Sequence, residues 1–407
     1  MTKRKHRRRL RPAFKAFLAI VVLLTIFAGY RTCSPKKTAD APAPSPASAS
    51  PEASSTPSPT PEVHTASLFL MGDIMCQRPI VYQAEQPDGS FDFAPMFDDV
   101  LNQVSKYDLA FGNMETILGG DYLGFTGFPH FNAPQAFGDY MVSKGFNLIS
   151  LANNHMLDKG EEGALNSLKY WAGKTNVVTA GMFDSFDAQN AIPVHEINGI
   201  TYAFNAWTYG MNGNLPPQGE EYLVNCYRDD PEKMLQWVRD AKTKADLVIV
   251  SMHWGTEYTA QPDDEQLQLA QELADAGADL IIGNHAHNIQ PIQWLNDGKT
   301  LCFYALGNGI SDQDPMYDTD PDDVLTAMEA SVQLVKDENG ARIENPRADL
   351  LYTCREGDRS DNYHEGILLK EMKNVTVEEL PDVKERYQNR IDTIVHAYDA
   401  SIPIGLN

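Results

Sequence analysis

The chain has 407 residues, with 33 Lys and Arg against 56 Asp and Glu, and a formal charge of −23. That length permits one large domain or two around a full-sized core. Eleven basic residues lie at or before Lys37, so 22 face all 56 acidic ones beyond it, a formal charge of −34 that excludes nucleic acid and anionic lipid as partners held by long-range attraction.

Residues 1–15 form a basic flank containing Lys3, Arg4, Lys5, Arg7, Arg8, Arg9, Arg11 and Lys15. An apolar run over 16–30 follows, and the pair reads as a signal anchor with a cytoplasmic N-terminus. The run is short for a membrane span, which leaves a cleaved signal peptide as the alternative. Residues 31–64 are a linker, almost wholly Ala, Pro, Ser and Thr from Ala39 to Glu62, and act as a flexible tether. The main domain, 65–400, is expected outside the cell on a single-pass anchor. Cys33, Cys76, Cys226, Cys302 and Cys354 have no disulfide-framework spacing, and Cys76 and Cys302 read as core residues.

The domain opens with an apolar strand, Ser67 to Met71, closed by Gly72-Asp73. A helical pattern from Phe93 to Lys106 leads to a strand, Asp108 to Phe111, ending in Gly112-Asn113-Met114-Glu115. A helix at Ala136 to Ser143 precedes the strand Phe146 to Leu151, which runs into Asn153, Asn154 and His155. Asp158 reads as a cap for the next helix, Glu161 to Ala172, and a short strand follows at Val177 to Ala180. This strand–helix alternation predicts parallel strands with crossover helices. Ile192 to His195 and Ile200 to Trp207, joined by Asn198-Gly199, predict a hairpin.

A helix at Pro231 to Thr243 leads to the strand Asp246 to Val250 and then to Ser251-Met252-His253-Trp254. The helix from Asp264 stops at Gly277. Leu280 to Ile282 is a buried strand, followed by Gly283, His285 and His287. If the chain stays extended there, side chains two apart face one site. Thr300 to Leu306 delivers Gly307-Asn308. Alternation at Ala327 to Val335 and Arg342 to Cys354 predicts antiparallel edge strands, and an amphipathic helix covers Leu380 to Tyr398.

Asp73, Asn113 and Glu115, Asn154 and His155, His253, and His285 and His287 therefore stand at five strand ends. Carboxylate, amide and imidazole together suit a divalent metal, and the carboxyl edge is where open α/β sheets bind ligands. Asn153 reads as a turn residue bonding backbone. Trp254 is either core or a substrate platform, and Glu257 and Tyr258 sit on the loop beside His253.

The motifs G-D-I-M, G-N-M-E-T, L-A-N-N-H-M-L-D-K-G, S-M-H-W-G-T-E-Y, I-G-N-H-A-H-N-I-Q and Y-A-L-G-N occur in that order between Ala66 and Gln313. The set resembles the CapA family of poly-γ-glutamate capsule synthesis proteins, which is similar in fold to calcineurin-like metallophosphoesterases. The resemblance implies an α/β fold, a four-layer αββα sandwich of two mixed sheets flanked by helices. It implies one or two divalent ions, Mn, Zn or Fe. Asp73 and His287 would serve one position, Asn154, His253 and His285 the other, with Glu115 between. His155, with Glu115, would be catalytic, and Asn113, Trp254, Glu257 and Asn308 would contact substrate.

The family's usual first and second motifs differ here. Met75 stands where phosphoesterases carry a histidine, and Asn113 where they carry a bridging aspartate. The implied function is synthesis, export or release of poly-γ-glutamate or a related anionic capsule polymer, with capsule synthase membrane proteins as partners. An extracellular metal-dependent phosphoesterase and a non-catalytic scaffold are the competing readings.

Overall fold

The computed structural model describes residues 62–313, 324–353, 372–374, 385 and 388–406, all within the unit Thr60–Asn407. The predicted basic flank, anchor and nearly all of the linker lie outside the described residues, as do Cys33, Cys354 and the first part of the predicted C-terminal helix. The described residues hold no helix long and apolar enough to cross a membrane.

Strands that are apolar on both faces must be covered on both faces. In β1 (His64–Asp73), Leu68 and Leu70 point into one apolar layer, whereas Phe69 and Met71 point into another. β2 (Leu109–Asn113), β3 (Leu148–Ser150) and β4 (Val178–Ala180) continue parallel to β1. A second sheet is built on β5 (His195–Ile197), β6 (Ile200–Thr208), β7 (Leu247–His253), β8 (Leu280–Asn284), β9 (Ile292–Leu295) and β10 (Thr300–Phe303), in the order β5-β6-β7-β8-β10-β9. Its middle strands are parallel and both edge strands antiparallel. β11 (Thr326–Asp337), β12 (Gly340–Thr353) and β13 (Met372–Asn374) return antiparallel to complete the first sheet, β13-β12-β11-β1-β2-β3-β4.

The inner layer joins the sheets through Leu68, Phe111 and Leu148 on one side and Phe204, Ile249 and Ile282 on the other. Outside the first sheet, Phe69 and Ile149 pack under α1 (Arg78–Ala84), α2 (Ala94–Leu101), α3 (Gln135–Lys144) and α4 (Gly160–Ala172). Past the short α5 (Phe186–Asn190), α6 (Pro231–Lys242) and α7 (Asp264–Ala276) cover Val248, Val250 and Ile281 of the second sheet. The result is the four-layer αββα sandwich of two mixed sheets.

Local signals set the helix limits. Asp263 accepts from Gln266 N while the Gln266 side chain accepts from Asp263 N, a capping box that starts α7, and Gly277 at φ 110° ends it. The predicted helix Phe93 to Lys106 is shorter, ending at Leu101, with a separate turn at Val104–Lys106. The first arm of the predicted hairpin is His195–Ile197 rather than Ile192 to His195, because Asn198 and Gly199 both take left-handed φ and set the register at Ile197↔Ile200. Of the predicted C-terminal helix, the described part includes a π-helical stretch, Ile391–Val395.

Candidate metal centre

The carboxyl ends of both sheets meet at Asp73. Its N–H donates to Gly307 O at 2.9 Å and its carbonyl accepts from Ile310 N at 3.0 Å, stitching the chain after β10 onto β1. Only glycine permits this approach at the preceding position, since a Cβ on Gly72 would lie 2.1 Å from Gly307 O. The Asp73 carboxylate then reaches both sheets, accepting from Asn113 Nδ2 at 2.8 Å and from His285 N at 3.1 Å. His287 Nδ1 lies 3.4 Å from it.

Glu115 sits at the centre. Its carboxylate is fully buried, and neither oxygen has a hydrogen-bond partner among the described residues. His253 Nε2 stands 3.5 Å away and His287 Nε2 3.9 Å. Burial, reinforced by Asp73, holds its pKa well above the carboxylate range. His253 and His285 are pushed well below the usual imidazole value, chiefly by burial and then by neighbouring histidines. Burial also opposes the charged form of His287, but contact with Asp73 outweighs it and the pKa is raised.

Two donor sets converge. Glu115, His285 and His287 offer ligand atoms within 4.8 Å of one another, and so do Asp73, Glu115 and His253. Both share Glu115, but Asp73 groups with His253, across the partition implied by the resemblance. The donor chemistry fits a divalent cation: an orphaned buried carboxylate, an orphaned His285 Nδ1, and two imidazoles, His253 and His285, whose charged form burial opposes. Asn154 Oδ1 contacts His253 Nε2 at 3.1 Å, and its Nδ2 donates to Asn212 at 3.3 Å.

His285 and His287 reach the site by a different route from the extended one expected. Both have left-handed backbone, φ 89° and 56°, so a tight turn rather than strand alternation aims their rings. Non-glycine residues in this region carry strain that the surroundings must hold.

Three residues expected at the substrate have protein partners in the structure. Trp254 is completely buried and donates its indole N–H to Tyr304 O at 2.9 Å, so it belongs to the core. Asn113 is completely buried, and its Nδ2 lies 2.8 Å from Asp73 Oδ1 and 3.2 Å from His253 Nδ1, orienting two site residues. Asn308 Oδ1 contacts His287 Nδ1 at 2.9 Å and fixes that ring. Glu257 stays exposed on its loop, and its charge is felt at Glu115 and His287.

Asp158 does not cap α4, where Lys159 stands at the cap without a side-chain bond. It lies 2.7 Å from His155 Nδ1 and accepts from Phe131 N at 2.6 Å. That pairing leaves Nε2 as the ring nitrogen available to a ligand. Asn153 does bond turn backbone, donating to Met114 O and accepting from His155 N. Tyr209, not anticipated, lays its ring 4.6 Å from that of His285 and bonds Asn212. Its signal is in the sequence, since β6 is also a parallel strand and Tyr209 is the residue just past its end.

A family model described as "Bacterial capsule synthesis protein PGA_cap" matches residues 67–313. The PGA biosynthesis protein CapA of Bacillus subtilis (strain 168) is 34% identical over 174 residues, 41% of this chain and 43% of that one. The capsule biosynthesis protein CapA of Bacillus anthracis is 31% identical over 186 residues, 45% of this chain and 44% of that one. The alignments thus span under half the length of these relatives. A crystal structure described as a novel phosphatase of Mycoplasma pneumoniae overlays at TM-score 0.43 and 14% identity, covering 71% of this chain and 94% of that one. The family match covers more than half of the chain, and the chain belongs to the bacterial capsule synthesis protein family PGA_cap.

Proposed function

We propose that the protein is a membrane-tethered, extracellular accessory of the synthesis, export or release of poly-γ-glutamate or a related anionic capsule polymer, working through a divalent metal at the carboxyl edge of its two sheets. The single observation that carries the metal is the Glu115 carboxylate, buried with both oxygens unpartnered among His253, His285 and His287. Family membership supports the capsule role, and the basic flank, apolar run and linker support the tether. Asp73, Glu115, Asn154, His253, His285 and His287 would hold one or two ions of Mn, Zn or Fe. Such an ion polarises a carbonyl or phosphoryl oxygen and can lower the pKa of water.

The chain's own residues do the remaining work. Asp158 holds His155 by Nδ1, so Nε2 is placed to give a proton to a substrate oxygen or to stabilise charge on it. Asn308 Oδ1, an acceptor at His287 Nδ1, leaves the Nε2 lone pair of that ring free, while Asn113 positions the His253 ring from its Nδ1 side. Burial and Asp73 favour the protonated form of Glu115, so a metal there competes with a proton.

Elemental analysis and poly-γ-glutamate cleavage or transfer by Asp73→Ala and His285→Ala variants test this reading. Loss of metal together with activity supports it, and full capsule function in metal-free protein overturns the metal mechanism. Turnover of generic phosphodiesters with manganese or zinc, without action on the polymer, would favour a phosphoesterase instead.

A further inference from the structure

On the outer face of the second sheet, away from the metal centre, lies a cavity of about 270 Å³ between β6, α5 and α6. Gln189, Asn205, Asn225, Lys233, Trp237 and Asp240 line it, and none of them is a candidate metal ligand. Asn205 has the same strand parity as Ala203 and Trp207, which pack on that outer face.

The polar groups here form a relay. Lys233 Nζ donates to Gln189 Oε1 at 2.6 Å, Gln189 Nε2 to Asn225 Oδ1 at 3.1 Å, and Asn225 Nδ2 to Asn205 Oδ1 at 3.1 Å. Asn225 Nδ2 also reaches Ala206 O at 3.0 Å. Asn205 Oδ1 accepts a second bond, from Ala206 N at 2.8 Å. Two donors on one oxygen fix which way this amide points. Its Nδ2 is then left with no acceptor among the described residues, although Asn205 is only 2% exposed.

The Asn205 side chain lines the cavity, so this donor can be met by a molecule bound there. A molecule that meets it brings an acceptor, and the Lys233 ammonium on the same lining, with three donors and one used, favours a negative one. Asp240, two helical turns beyond Lys233, adds an acceptor to the same lining. A ligand with a carboxylate at one end and a donor at the other matches both. The cavity is at or just below the lower limit of small-ligand pockets, roughly 300 Å³, which suits a monomer and not a polymer.

We propose that this cavity binds a small amino-acid-like molecule, with Asn205 Nδ2 and Lys233 Nζ donating to its carboxylate and Asp240 facing its ammonium group. The assignment does not depend on the metal reading. Titration calorimetry of the full chain with L-glutamate tests it.

The unaltered protein should bind saturably. Lys233→Gln should weaken binding about tenfold or more, since Lys233 is exposed and its loss leaves the fold intact. Asn205→Asp keeps the acceptor that Ala206 N and Asn225 use but replaces the free donor with negative charge, and should abolish binding. His285→Ala, at the metal centre, should leave the affinity unchanged. No saturable binding to the unaltered protein, equal binding by Lys233→Gln, or loss of binding with His285→Ala would each overturn the proposal.

Discussion

The parallel strands carry polar side chains at both ends, and the two ends treat them in opposite ways. At the amino end, Asp108, Asn147, Asp246 and Asp279 each stand one residue before a strand. Each accepts from a backbone N–H in the first half of the neighbouring strand: Ser67 at 2.7 Å, Ala110 at 2.8 Å, Thr201 at 2.8 Å and Val248 at 2.7 Å. Further donors complete the carboxylates, with Ser67 Oγ on Asp108, Thr201 Oγ1 and Lys336 on Asp246, and Lys242 on Asp279. At the carboxyl end, Glu115 and His285 are polar and more deeply buried than Asp108, Asn147 or Asp246, yet keep orphaned atoms. The first edge is a row of satisfied clamps that hold neighbouring strands together. The second is held open for something else, and the number of partners, not residue type, separates the two.

Glu115→Gln should break this contrast most strongly. Metal affinity should fall by more than roughly 100-fold, beyond the loss expected from removing an orienting partner alone. The metal-free protein should be as stable as before or gain about 1 kcal/mol, because a neutral amide replaces a buried carboxylate without donors. Metal titration and thermal melts in chelator measure the two effects, and a large loss of metal-free stability would show that Glu115 is structural. Asp279→Ala should do the reverse. It strands the buried Val248 N–H and removes the partner of Lys242, costing about 2–4 kcal/mol in urea unfolding while metal affinity holds.

Much of this was legible in the sequence because burial on both faces of a strand writes an uninterrupted apolar run. Leu280 to Ile282 and Asp246 to Val250 announce parallel strands, and the residues just past them announce the edge. What spacing cannot write is local geometry and partner choice. His285 and His287 resemble an alternating pair in sequence, yet left-handed backbone turns both of them. Trp254 and Asn113 follow strand ends as a substrate contact would, but Tyr304 O takes the indole and Asp73 takes the amide. The Asp-Leu and Asn-Leu pairs that open four strands are visible as text, whereas their clamping role depends on which strand lies alongside.

Asp158 tests the contrast from inside the carboxyl edge, since its Oδ2 is partnered by His155 and Phe131 N while its Oδ1 is left open. Asp158→Asn keeps the shape but loses the charge that holds His155, with which it makes a 2.7 Å contact. Turnover on the polymer should fall roughly 100-fold, the scale of a mis-set proton donor, with metal content unchanged. A parallel loss of metal would mean that Asp158 supports the ligand shell rather than His155.

The smallest effect belongs to Asp246 and concerns pH. Burial pushes its pKa up, but Lys336 and Thr201 outweigh burial and hold the carboxyl below its ordinary value. A group depressed in the folded state adds stability that is fully present above its unfolded pKa, near about 4, and is lost as pH falls through the folded value. Asp246→Asn should therefore cost about 1 kcal/mol at neutral pH, and the difference should vanish well below the ordinary carboxylate range. Urea unfolding of both proteins at neutral and acid pH measures it. An equal cost at both would assign the clamp's contribution to the shape of the side chain, and the charge that distinguishes Asp246 from Asn147 at the same edge would then add nothing to holding the strands together.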